Sequence, residues 1–350
     1  MDFTKGFPDE LLLTLFRKIN IYTACMLKLV NKRLYQVSRD EELSNMFRQN
    51  KIDTKPFHGG YIRDGDLYMW GFNHSGRLMN NYESTSKNLN VLGKKIKKVS
   101  TGHTCTIVLT EEKEVYIWGV NPCFSHIETR GPRLFDSNKF VQIKLAENQS
   151  IAAISEDGVF HFWDIYPFSL SGMKIQLPED RISRTFFTPY IVGFVTEKGQ
   201  IYLANYGIHY PKPKNYLDIF YKVDWSDRLP FRIKDVIWWK NERCAIVLSQ
   251  GNSLYEVPID YDYNVKDEIQ HIQQFVKKAM LPPSSMEEIL YLLTYDGRII
   301  KYNMQTKRKR MLVYGKVPVD FSVIKTDKNV DRIDYIDEAG IIHQYLITTS

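Results

Sequence analysis

The chain has 350 residues, of which 43% are hydrophobic and 25% charged, and a formal net charge of +6. Those proportions belong to a folded globular chain and exclude a disordered tail or a fibre. The excess of base is small and is not gathered into one arm, so it gives little reason to expect nucleic acid or an anionic membrane as a partner.

Four cysteines, Cys25, Cys105, Cys123 and Cys244, are scattered without a CxxC pair and without histidines at metal-ligand spacing. Neither a zinc site nor a disulfide framework is expected, and no cofactor is implied. The N-terminus lacks a basic stretch followed by an apolar one, and no apolar run reaches the roughly 18 residues of a membrane span. A cytosolic or nuclear protein with no membrane partner is expected.

In chain order, the first feature is GFPDELLLTLF, residues 6 to 16. Pro8 and Asp9 suit the first turn of a helix, and Leu11, Leu12, Leu15, Phe16 and Ile19 recur on one broad apolar face. A second helix is expected from Thr23 as N-cap, with Ala24, Leu27, Val30, Leu34 and Val37 on one side and Lys28, Lys32 and Arg33 on the other. A third, shorter one runs from Glu41 to Phe47. Three helices in about 40 residues bury little surface of their own. At roughly 1.5 to 3 kcal/mol per buried Leu, Ile or Phe, their surplus of apolar side chains needs a cover, either the rest of the chain or another protein.

The stretch FPDELLLTLFRKINIYTACMLKLVNKRLYQVSRDEELSNMF resembles an F-box. Phe7 stands for the leading Leu of that pattern and Pro8 for its Pro; Glu10, Leu11 and Leu12 follow, Leu15, Phe16 and Ile19 end the first helix, and Val30 and Lys32 fall on the later Val and Lys. Asn31 replaces a Cys, Leu34 an aromatic residue, and Asn45 or Met46 a Trp. The resemblance implies docking onto a Skp-type adaptor and, through it, a cullin, with Pro8, Leu11, Leu12, Leu15, Phe16, Ile19, Leu27 and Val30 as adaptor contacts. It implies a non-catalytic substrate receptor of a ubiquitin ligase, acting by holding a target protein near the conjugating enzyme.

Beyond a linker at 51–58 the pattern changes. Seven times an alternating apolar segment enters a turn and leaves as a second one: GYIRDGDLYMWG, TCTIVLTEEKEVYIWG, IAAISEDGVFHFW, VGFVTEKGQIYLA, CAIVLSQGNSLYEV, LYLLTYDGRIIKY and RIDYIDEAGIIHQY. Each is a β-hairpin signal. The turn residues Gly65, Lys113, Gly158, Gly199, Gly251, Gly297 and Gly340 are separated by 48, 45, 41, 52, 46 and 43 residues, the length of a four-stranded propeller blade. Ahead of six hairpins lies a further apolar segment, IKKVS, VQIKLA, RTFFT, IKDVIWW, QQFVKKA and VDFSVIK, which would supply the inner strand; the first hairpin has no obvious one. The expected fold class is α+β and multidomain: a small three-helix F-box over 1–50, then an all-β seven-bladed propeller over 59–350, its ring closed between the first and last units.

DLYMWGFNHSGRL, followed by KKIKKVSTGHTCTIVLTEEKEVYIWGVN, resembles the repeat of the regulator of chromosome condensation family. The matching positions are Trp70, Gly71, Asn73, Gly76, Leu78, Val99, Gly102, His103, Thr104, Trp118, Gly119 and Asn121. In later units the match fades, with Asp164 after Trp163 in place of Gly. In such repeats Gly and Trp build the blade, so Trp70, Trp118 and Trp163 are expected in the core and His103 is assigned no chemistry.

Long connections at 205–231 and 258–268 are rich in aromatic residues, and Tyr206, Tyr210, Tyr216, Tyr221, Trp225, Tyr261 and Tyr263 are the candidates for gripping a target protein. The basic run Thr306 to Arg310 is either an import signal or a solvated loop edge. The founding members of the repeat family act on a small nuclear GTPase, so a nucleotide-exchange or chromatin-binding propeller is the alternative function. No GxGxxG, P-loop, HExxH or GxSxG motif points to an enzyme.

Overall fold

The computed structural model describes residues 51–348 apart from 55–57, 72–86, 90, 122–124, 147–148, 164–171, 188–190, 206–215, 224, 226–227, 241–243, 261–262, 267–268, 282–288, 313–316 and 328–329. These residues form seven antiparallel sheets in chain order: blades 1 to 7, spanning 51–89, 96–134, 140–175, 182–223, 233–273, 276–311 and 318–348. Six blades are four-stranded meanders, and the seventh has three strands among the described residues. First strands touch first strands all the way round, and that of blade 7 (Pro318–Asp327) touches that of blade 1 (Lys51–Thr54). The result is a closed seven-bladed β-propeller whose inner ring is made of those first strands.

The seven hairpins and six inner strands expected from the sequence are all present. The second strands CTIVLT, IVGFVT and ILYLLT are buried on both faces, because each blade is sandwiched between two others. They therefore read as continuous apolar runs rather than as an alternation. Trp118 is fully buried among Ile62, Leu67, Met69 and Val99 of the first two blades, and Trp163 packs edge-on against Phe135 at 4.6 Å. Both tryptophans fill the seam between blades.

Two expectations need correction. The α+β class does not hold: among the described residues there is no α-helix, only a single 3-10 turn at Tyr216–Ile219, and the fold is all-β. The helical periodicity that suggested the mixed class is confined to residues 1–50, which lie outside the described residues, as do all the expected adaptor contacts from Pro8 to Val30. The segment 51–58, read as a linker, carries the missing inner strand of blade 1, Lys51–Thr54. Its four residues KIDT hold one apolar side chain, too few to show a period.

In blades 2 to 7 the inner-strand pairing shifts register after its first residue, as between Ile96 and Lys98 or Val276 and Lys278. Such a bulge turns the strand and re-aims the residue that follows. The residues after the bulge are Lys98, Gln142, Arg184, Asp235, Lys278 and Asp320. Four of them reach the backbone of the next inner strand. Lys98 Nζ donates to Ile143 O (2.5 Å), Gln142 Oε1 accepts from Thr185 N (2.9 Å), Lys278 Nζ donates to Phe321 O (2.6 Å), and Asp320 Oδ2 accepts from Ile52 N (3.1 Å). The last bond crosses the seam that closes the ring, where Ile52, Val319 and Ile336 also pack together.

The hairpin turns use a second device. Thr110, Thr196, Ser249, Thr294 and Asp337 each accept, on the side-chain oxygen, the backbone N–H four residues on. Every marker turn contains positive φ, at Gly65 (with Asp64 before it), Lys113, Gly158, Gly199, Asn252, Gly297 and Gly340. In the fifth turn it falls on Asn252, next to the marker Gly251. The turn carbonyls of Gly65, Lys113 and Asn252 accept the first N–H of the following inner strand, from Ile96, Phe140 and Val276.

On the same side of the ring, Glu114 bridges Lys94 (2.7 Å) and Lys139 (2.9 Å), tying the approaches to blades 2 and 3. The hydrogen bonds from Lys94 and Lys139, in that order, pull the Glu114 carboxyl down to about 2. A depressed carboxylate stabilises the fold above its unfolded pKa and loses that contribution as pH falls through its folded value. The stability difference between the native protein and Glu114→Gln, measured by urea unfolding, is expected to be constant above about pH 5 and to shrink towards zero as pH approaches about 2.

Gly119 has φ +92, and a Cβ there would collide with the Thr104 carbonyl oxygen and lie 2.9 Å from Cys105 Cα. Gly119→Ala is expected to cost about 2–3 kcal/mol in the same measurement. Gly251→Ala, where the nearest atom is Ser249 Oγ at 3.7 Å, leaves stability nearly unchanged.

Candidate functional site

Between blades 4 and 5 runs the longest connection between consecutive blades, residues 224–232. Trp225 at its start is buried to 3% exposure among Leu229, Ile233, Val257 and Ile259, and its Nε1–H donates to Tyr263 O at 2.7 Å. Tyr263 sits in the 259–266 loop of blade 5 with φ +61, and that loop is closed by the Ile259–Val265 bridge and by the Lys266 N to Pro258 O bond. Tyr221 on the outer strand of blade 4 is 49% exposed and lies 5.7 Å from the Tyr263 ring. Near the end of the connection Phe231 stacks on Tyr255 at 4.0 Å. The loop is thus clamped at both ends by aromatic side chains.

Arg232, the last residue of the connection, forms one wall of an open groove of about 510 Å³ on the turn side of blades 3 to 5. Asp157, Glu179, Asp180 and Glu197 contribute carboxylates to it, Arg181, Lys198 and Arg232 contribute cations, and Leu177 and Pro178 the apolar surface. The cations are aimed by backbone carbonyls: Arg181 Nη2 donates to Glu156 O (2.7 Å) and Lys198 Nζ to Glu179 O (2.9 Å). The Ser155 hydroxyl, hydrogen-bonded to Asp157, holds that carboxyl below its usual range. Asp180 Oδ2 is shut away from water without a hydrogen-bond partner among the described residues. A mixed-charge, solvent-open groove suits a polar segment of another protein better than an apolar small molecule, which favours enclosed, mainly apolar cavities.

The expected target contacts divide accordingly. Tyr206, Tyr210 and Tyr261 lie outside the described residues. Tyr216 begins the 3-10 turn. Tyr221, Trp225 and Tyr263 are brought together, but Trp225 is an anchor for the loop, not a surface contact, since a wholly buried indole has nothing left to offer a partner. His103 is exposed in the short loop before Cys105, and Cys105 and Cys244 are free thiols. Among the described residues no three or more His, Cys, Asp or Glu side chains converge as metal ligands do, and no helix is long and apolar enough to cross a membrane. The sequence reading missed the groove. Its signal was PEDR at 178–181 and EK at 197–198, the approach to blade 4 and its hairpin turn, which by sequence alone look like ordinary solvated loops.

No known protein family's sequence profile matches the chain. Its fold is that of the β-propellers, regulator-of-chromosome-condensation-type propellers among them. It is similar to Prp20p from Saccharomyces cerevisiae, described with its binding to Gsp1p and histones, at a TM-score of 0.57 and 13% identity over 77% of this chain and 79% of that one. Human WBSCR16 matches at 0.56 and 12% over 78% and 83%, and the Cps50 (Swd1) β-propeller domain of Myceliophteria thermophila at 0.53 and 12% over 86% and 98%. At such identities the likeness is one of fold.

Trp225→Phe keeps most of the packing and removes the bond to Tyr263. It is expected to cost about 1 kcal/mol and to speed hydrogen exchange in the 259–266 loop while leaving the inner strands unchanged. Trp225→Ala is expected to cost about 3–5 kcal/mol.

Proposed function

We propose that the protein is a non-catalytic recognition propeller, cytosolic or nuclear, that takes a protein partner in the groove on blades 3 to 5, and that this partner is a small GTPase or a chromatin protein. The observation that carries the reading is the groove itself, a mixed-charge surface assembled by the hairpin turns of blades 3 and 4 and the connections into blades 4 and 5, on a rigid ring. Rigid scaffolds presenting loops are where recognition usually sits, and the ion pairs such a groove offers set orientation and partner choice. The fold-mate Prp20p, whose partners are given as Gsp1p and histones, supports this class of partner.

A second reading rests on the sequence pattern of residues 7–47: docking of Pro8, Leu11, Leu12, Leu15, Phe16, Ile19, Leu27 and Val30 on a Skp-type adaptor, with the propeller presenting a target for ubiquitin transfer. The readings separate in one set of measurements. The full-length protein is added to a panel of nucleotide-loaded small GTPases and to histones, and in parallel to a Skp-type adaptor. Faster nucleotide release or histone binding that is lost in Arg181→Glu/Arg232→Glu supports the first reading. Adaptor binding that is lost when Pro8 and Leu12 become polar, with the groove variant unaffected, selects the second.

A further inference from the structure

The inner strands carry more positive charge than their own bonds use. Lys278 pairs with Asp320 at 2.9 Å, Lys277 Nζ donates to Val319 O at 2.5 Å, and Lys234 Nζ donates to Asn252 Oδ1 at 2.6 Å. Asp53 accepts both the backbone N–H and the hydroxyl of Thr101. Besides Lys97 on blade 2, Lys98 on the same blade, Lys144 on blade 3 and Arg184 on blade 4 place cations on three consecutive blades. Lys144 and Arg184 make no side-chain hydrogen bond or ion pair among the described residues, and Lys98 has only the Ile143 carbonyl.

Their placement follows from the bulges. Lys98 and Arg184 both come directly after a bulge and so lie at the same level of the ring. Lys144 is two residues past Gln142, on the same side of its strand and about 7 Å further along. The flanking inner strands carry Asp53, already engaged by Thr101, and Asp235, the carboxylate after the blade 5 bulge, whose Oδ1 is buried without a hydrogen-bond partner among the described residues. No carboxylate stands on the inner strands of blades 2 to 4 themselves. Burial pushes the Lys98 ammonium down to about 7; Lys144, Arg184 and Lys278 add to the effect, and Asp53 opposes it. The folded protein therefore holds like charges together at a cost in stability, which an anion between them would offset.

We propose that the central channel is a binding site for a small multivalent oxyanion of the phosphate or sulfate class, held by Lys98, Lys144 and Arg184. The guanidinium fork of Arg184 matches two oxygens of such a group, and the two ammonium groups supply point charges from the adjacent blades. Occupancy is tied to protonation, because an anion favours the charged form of Lys98 and so binds more tightly at the acid side of neutrality. The site is separate from the groove on blades 3 to 5.

The test is thermal unfolding of the full-length protein with tripolyphosphate, against potassium chloride of matched ionic strength, together with calorimetric titration of sulfate, whose charge is constant from about pH 6 to about pH 9. Tripolyphosphate is expected to raise the unfolding temperature well beyond the salt control, and sulfate to bind several-fold more tightly at the lower pH. Lys144→Gln/Arg184→Gln is expected to lose both effects while being, without anion, at least as stable as the native protein. Arg184→Gln alone, at an exposed position, preserves the comparison should the double variant fold poorly. Arg308→Gln/Arg310→Gln, on the exposed basic run of blade 6, is expected to respond as the native protein does. The proposal is overturned by a response no larger than that to salt, by a full response in the channel variants, by loss of the response in the blade 6 variant, or by sulfate binding that ignores pH.

Discussion

Everything else in this molecule depends on how seven inner strands are held in a circle. Hydrogen bonds within a sheet join the strands of one blade and say nothing about the next, so the ring needs bonds of another kind. The protein supplies them from the residue that follows the inner-strand bulge in four blades, Lys98, Gln142, Lys278 and Asp320. At the closing seam, Asp320 accepts from Ile52 N while receiving Lys278, and Ile52, Val319 and Ile336 fill the space behind. A chain whose first and last blades were held by apolar contact alone would lack a defined register there. The charge-assisted bond to a backbone N–H provides it.

That solution makes the inner strands more polar than their position suggests. Lysine, glutamine, arginine and aspartate stand at equivalent places in neighbouring blades, where an ordinary core would hold aliphatic residues. Four of them bond to the next inner strand, while Arg184 and Asp235, on blades 4 and 5, do not. The groove lies on the turn side of blades 3 to 5, where Arg181 and Arg232 stand in the connections that lead into the inner strands of blades 4 and 5. One half of the propeller therefore carries both the charged groove and the charged channel wall, while the closing seam on the other side is tied up in its own bonds.

Much of this was legible in the sequence, for identifiable reasons. Hairpins were visible because a Gly or a charged turn interrupts two apolar segments at near-constant spacing, and six inner strands because each has at least two apolar side chains. The strand at Lys51–Thr54 was hidden because Ile52 is its sole apolar residue. The fifth turn was marked by Gly251, but its positive φ falls on Asn252, a residue type that tolerates that conformation. Trp225 looked like a surface contact because aromatic residues in long loops often are. Its burial and its bond to Tyr263 show it to be an anchor. The recurring Ser, Thr and Asp at the turn entrances could have been found by aligning the hairpins with one another, since the side-chain to backbone bond they make is local.

The bonds between blades also have a direction. The turn carbonyls of Gly65, Lys113 and Asn252 hold the start of the next blade, and Lys98, Gln142, Lys278 and Asp320 reach forward in the same sense. In this respect the ring behaves like a ratchet of seven teeth rather than a stack of equal plates. A change in one of these hairpin turns therefore reaches the start of the next inner strand directly. Sequence drift in such a protein would accumulate in ordered pairs of blades, each turn changing in step with the inner strand that follows it.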